Sequence, residues 1–111
     1  MPPPPSPPAT LFGRRLREAR LRAGVPQDKL GVAIGLDEGV ASARMSRYET
    51  GVHEPPANIA NRIAEALGVL PPYFHCQDDD LATVILAWSR LSGTDRQRAR
   101  DFVTALPMTE G

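Results

Sequence analysis

One cysteine in 111 residues leaves no intramolecular disulfide and no cysteine-based zinc cluster. Aromatic residues are scarce at 5%, so a core has to be assembled from Leu, Ile, Val, Ala and Met. No apolar run approaches the roughly 20 residues needed to cross a bilayer. Met1-Pro2-Pro3-Pro4-Pro5 lacks both the charged start and the apolar stretch of a secretory leader. These absences are those of a cytoplasmic chain without a membrane partner. Net charge is missing too, since 13 Lys and Arg balance 13 Asp and Glu. A neutral total speaks at first against nucleic acid, but distribution matters more than the sum. Residues 10–70 hold nine basic against seven acidic side chains, and residues 71–111 hold four against six. Arg14, Arg15, Arg17, Arg20 and Arg22 crowd one segment with only Glu18 opposing them.

What the chain does have is helical punctuation. Apolar residues make up 41%, enough for one domain with a modest core. Residues 1–9 contain six prolines and read as a disordered or extended tail. Thr10 is a plausible cap for a first helix running to about Ala23, where Gly24 stops it. Leu11, Phe12, Leu16, Ala19 and Ala23 share one stripe of that helix. Pro26 opens a second helix reaching Ile34, with Leu30, Ala33 and Ile34 as its apolar face and Gly35 as its stop. A third helix spans about Val40 to Glu49, and a fourth about Ala57 to Leu67 with Ile59, Ile63, Ala66 and Leu67 inward. A short turn or helix at Pro71–His75 follows. Asp78-Asp79-Asp80 then suit the positive end of a fifth helix, whose apolar face is Leu81, Val84, Ile85, Trp88 and Leu91. Thr94 caps a last helix through Leu106, with Ala99, Phe102, Val103 and Leu106 inward, and residues 107–111 fray. The expected fold is all-α, with five to six helices and no strand.

Three short helices with a turn between the last two are the ingredients of a helix-turn-helix. The stretch Arg20…Pro26-Gln27-Asp28-Lys29-Leu30…Ile34-Gly35, then Met45-Ser46-Arg47-Tyr48-Glu49-Thr50-Gly51…Glu54-Pro55, resembles the Cro/repressor-type (XRE) family of DNA-binding proteins. Leu67-Gly68 adds to the match, which extends over about residues 11–75. The resemblance implies a lambda-repressor-like domain at 10–75, followed by a C-terminal helical extension at 76–106. It implies that Gln27, at a helix start where amides favour a phosphate, touches the DNA backbone. It places the third helix in the major groove with Ser42, Ala43, Arg44 and Arg47 toward base edges. Arg47 is the first choice for direct readout, because a guanidinium pairs in bidentate fashion with guanine O6 and N7. Arg44 suits a base or a phosphate, and Ala43 a thymine methyl. Tyr48 fits the packed side of the helix, with its hydroxyl in reach of a phosphate. Arg20 and Glu49 match a partly buried ion pair of the family and take a structural role. One departure stands out. Gly35 and Ser46 are eleven positions apart, longer than in the family by about one helical turn. The added residues, around Asp37-Glu38-Gly39-Val40, lengthen the turn or the front of the third helix, with Asp37 or Glu38 capping it.

Other features take plainer readings. The helix 1 arginines are solvent-facing, with Arg14 and Arg15 as exceptions near phosphate. His53 and His75 have no ligand at metal spacing, and adjacent His75-Cys76 does not form a catalytic pair. Asp78-Asp79-Asp80 caps a helix rather than holding Mg²⁺. No catalytic site, cofactor or metal is indicated. Two functions compete: a repressor that binds a palindromic double-stranded operator as a homodimer through its C-terminal helices, or an antitoxin or adaptor that binds another protein. The pair of helices at 78–106 completes the monomer core or meets a second subunit.

Overall fold

The computed structural model describes residues 7–109, and the expectations for residues 1–6 and 110–111 lie outside them. Its helices are α1 (Leu11–Ala23), α2 (Gln27–Ala33), α3 (Glu38–Thr50), α4 (Ala57–Leu67), α5 (Asp79–Ser89) and α6 (Gly93–Ala105), with a 3₁₀ turn at Pro71–His75 between α4 and α5. Among the described residues there is no strand and no helix long and apolar enough to cross a membrane. The expected tail does not run free to its end, because the Ala9 amide donates to the Thr50 carbonyl at 3.3 Å.

The helix ends follow local chemistry. The Thr10 hydroxyl accepts from the Gly13 amide, and Gly24 closes α1 in the left-handed conformation at φ 68°. Asp78 caps α5 by accepting from the amides of Asp80 and Leu81. The last helix departs from expectation: Ser92, not Thr94, is its cap and accepts from Asp95. Serine two positions earlier already satisfies the free amides, so Thr94 is drawn into the first turn.

The core lies under α1. Phe12, Leu16 and Ala19 pack against Leu30 of α2 and Ile34 just after it, Met45 and Tyr48 of α3, and Ile63, Ala64 and Leu67 of α4. Tyr73 and Phe74 close it from below, with the rings of Phe12 and Phe74 5.0 Å apart. These two aromatics are almost wholly buried, so the 3₁₀ turn belongs to the core rather than to a linker. Ala23, Ala33 and Ala66, expected inward, are exposed. Ala23 and Ala33 are the last residues of α1 and α2, and Ala66 is the last but one of α4, and a methyl group has little apolar area to gain from burial.

The C-terminal helices depart furthest. Only Ala82 of α5 is fully buried, with Ile85 and Leu86 partly covered against the core. Leu81 and Val84, expected inward, are 51% and 53% exposed. No residue of α6 is buried, and Phe102, Val103 and Leu106 all face solvent. The pair therefore extends from the core as an arm. The molecule measures 52 × 30 × 27 Å with a radius of gyration of 16.1 Å, against about 13 Å for a compact chain of this length.

Candidate nucleic-acid interface

Helix α3 presents two unlike faces. Ala41, Met45 and Tyr48 recur at helical spacing and are buried, together with Glu49. On the opposite side Gly39, Ala43 and Arg47 follow one another in four-residue steps, all exposed. Exposed Val40 and Arg44 lie along one flank of this ridge, and Ser42 and Ser46 along the other. Glycine and alanine keep the front of the ridge low, while the two arginines supply donors at its middle and rear. Among the described residues neither the Arg44 nor the Arg47 guanidinium forms an ion pair or hydrogen bond. Both border a cleft of about 250 Å³ with Tyr48, His53 and Glu54. Tyr48 is only 5% exposed, so its ring anchors the helix.

The lengthened segment before this ridge resolves into helix. Ile34 to Asp37 form the turn, and α3 starts at Glu38, two residues earlier than expected. The extra residues mostly extend the front of α3. Asp37 occupies the cap position by its backbone, but its side chain makes no capping bond. Glu38 lies in the first turn, where its charge suits the helix dipole.

A buried charge holds the back of α3. The Glu49 carboxylate is fully buried. Arg20 grips it with both prongs, Nε to Oε2 at 2.9 Å and Nη2 to Oε1 at 3.0 Å. Arg17 Nε adds a contact to Oε1 at 3.3 Å, and the Gln27 amide donates to Oε2 at 3.0 Å. The Ser42 hydroxyl donates in turn to Gln27 Oε1 at 3.4 Å. Gln27 thus links the start of α2 to the front and rear of α3. Its place in this network, and that of Arg17, was not visible in the sequence, where neither residue stands near Glu49.

Two glycines let α3 approach closely enough for these bonds. A Cβ on Gly31 would lie 2.6 Å from the Ala41 methyl, where α2 crosses α3. A Cβ on Gly13 would collide with the Glu49 carbonyl, where α1 crosses it. Glycine inside a helical pattern was the available signal, since it marks close backbone approach.

Four of the five arginines of α1 are engaged with acceptors within the protein, and Arg22 is exposed. Arg15, expected near phosphate, is 3% exposed and points at the start of α5. Arg14 is half-buried and reaches Asp79 at 3.3 Å. The Arg15 hydrogen bond, with Arg14's charge, holds the Asp79 carboxyl below its ordinary range. Helical periodicity separates the two faces of α1 but does not say which neighbours those faces meet. His53 and His75 are exposed, and Cys76 is a partly covered free thiol whose Sγ donates to the Asp78 carbonyl. No group of three or more His, Cys, Asp or Glu among the described residues is placed to hold a metal.

Comparison with known proteins agrees with this architecture. A search of curated proteins finds no match. The crystal structure of the transcriptional regulator BswR is similar over 85% of this chain and 93% of that one, at 39% identity and a TM-score of 0.80. The profile of the helix-turn-helix domain family matches residues 11–72, from the first helix to the start of the 3₁₀ turn, and the chain belongs to that family.

Proposed function

We propose that the chain is a DNA-binding transcriptional repressor acting as a homodimer, each copy laying α3 in the major groove of one half of a palindromic operator. The observation that carries this reading is the exposed α3 ridge, with unpaired Arg44 and Arg47 above a back face locked to α1 and α2. Arg47 reads a guanine through its planar fork, and Arg44 contacts the neighbouring base or phosphate. Ala43 and Val40 offer apolar contact to thymine methyls. Ser42 and Gln27, already bonded to each other, approach the backbone at the start of the groove. The kinship with BswR, a transcriptional regulator, supports the regulatory role.

A second copy supplies what α6 lacks. An isolated helix of its length is marginal in water, and α6 buries none of its 13 residues within the monomer. Phe102, Val103 and Leu106, with Leu81 and Val84 of α5, provide apolar surface for a two-fold contact. The same surface favours a second reading, an adaptor or antitoxin whose arm binds a different protein.

Selection of bound DNA from a random library separates the readings. The regulator enriches an inverted repeat with half-sites about 34 Å apart, whereas an adaptor enriches no motif. Arg47→Ala lowers affinity by about 1–3 kcal/mol and relaxes preference at one base pair. Unchanged affinity and preference in that variant would show that α3 is not the reading helix.

A further inference from the structure

Between the reading helix and the exposed arm the chain turns at two joints, and each is gripped by an arginine outside the reading surface. At the first, Arg15 of α1 sends Nε and Nη2 to the Cys76 carbonyl at 3.1 and 2.8 Å. Its Nη2 also meets Asp79 Oδ1 at 2.7 Å, in the first turn of α5. Glu18 and the Tyr73 ring flank the same guanidinium, at 3.5 Å and 5.6 Å. At the second joint, Arg96 of α6 donates Nε to the Trp88 carbonyl at 3.0 Å and Nη2 to the Ser89 carbonyl at 3.3 Å. Its guanidinium lies 5.9 Å from the centre of the Trp88 ring. These carbonyls belong to the last turn of α5, where i→i−4 partners run out, and the Trp88 carbonyl also accepts from the Leu91 amide at 3.1 Å. Ser89 Oγ accepts from the Leu70 amide at 3.1 Å, so α5 is tied to the core at both ends.

Apolar packing seats α5 through Ala82, Ile85 and Leu86 but does little to direct α6, in which nothing is buried. Planar guanidinium forks, each meeting two acceptors, restrict orientation in a way that point charges do not. The leverage is large. A helix of this length is about 20 Å long, so a tilt of about 10° at its base moves its tip about 3.5 Å, close to one base-pair step. We infer that Arg15 and Arg96 are positioning residues for DNA recognition: they fix the angle between reading head and dimer arm, and with it the half-site separation the protein selects. This inference rests on the dimeric DNA-binding reading.

Two measurements on the full chain test it. In the wild-type protein, residual dipolar couplings of α1 and α6 fit one alignment tensor. In Arg96→Lys, which keeps the charge and loses the fork, and in Asp79→Ala, which removes an exposed carboxylate and leaves Arg15 bonded to the Cys76 carbonyl, the α6 couplings shrink relative to α1. Library selection with variable spacing then shows discrimination between the preferred spacing and one base pair more or less falling about fivefold. Affinity for a single half-site stays within about twofold, since the joints are remote from α3. Arg15→Lys behaves in the same way where it folds, and Asp79→Ala probes that joint where it does not. Unchanged couplings in both Arg96→Lys and Asp79→Ala overturn the inference, as does a wild-type arm that already needs its own tensor. Loosened couplings with unchanged spacing preference overturn the link to DNA. A wild-type chain that enriches no DNA sinks the regulatory reading, and the couplings still decide whether these arginines orient the arm.

Discussion

The reading head and the arm use ion pairs in opposite senses. Behind α3 the anion is buried: Glu49 is fully enclosed, while Arg20 and Arg17 remain partly open to solvent. At the arm the cation is buried: the Arg15 side chain is 4% exposed and its partner Asp79 70% exposed. A buried carboxylate cannot regain water without dismantling its surroundings, so the head is held as one unit. An exposed carboxylate can be screened or protonated in place, leaving the neighbouring core intact. The difference suits the two tasks. A reading surface needs one geometry, whereas an arm has to settle against something else.

The strongest way to break the contrast is Arg20→Ala. Glu49 then loses its bidentate partner but retains Arg17 and Gln27, and the head loses about 3 kcal/mol, measured by urea unfolding. An arm substitution should spare the head. Phe102→Ala weakens self-association by about 1.5–3 kcal/mol per protomer, followed by sedentimentation equilibrium, while thermal unfolding of the head at low concentration is unchanged. Equal loss of head stability would mean that α6 packs on its own core. Gly31→Ala sharpens the picture of a pressed reading helix: the added methyl meets Ala41 and costs about 1–3 kcal/mol in the same urea experiment. The smallest effect is with acid. Because the folded Asp79 carboxyl is held below its ordinary value, its contribution is complete above that value and disappears as pH falls through the lowered one. The protection of amides at the start of α5, taken relative to their intrinsic exchange, therefore falls as pH drops below the ordinary carboxylate range, and Asp79→Asn removes that step.

The sequence made the head legible where local chemistry decides the outcome. Thr10, Gly24, Gly51 and Gly68 mark helix ends through hydroxyl acceptors and left-handed backbone, and those rules act within a few residues. The Ser46-Arg47-Tyr48-Glu49 run located α3, although its start moved forward to Glu38. Long-range choices were hidden. Nothing local distinguishes Arg15, which turns inward, from Arg22, which stays exposed. Nor does the pattern of α6 reveal whether Phe102 and Val103 meet their own core: periodicity identifies an apolar face without identifying what lies opposite it.

The internal use of the α1 arginines has a consequence for counterion release. Arg15, Arg17 and Arg20 are engaged with acceptors inside the protein, and Arg14 with Asp79. Among the described residues the exposed cations on α2 and α3 are Lys29, Arg44 and Arg47. In the proposed dimer, two such heads displace about six counterions from the duplex, so log affinity is expected to fall with log salt at a slope of about −5. A shallow slope ties recognition to base contacts and dimer geometry, and leaves little attraction for DNA of arbitrary sequence.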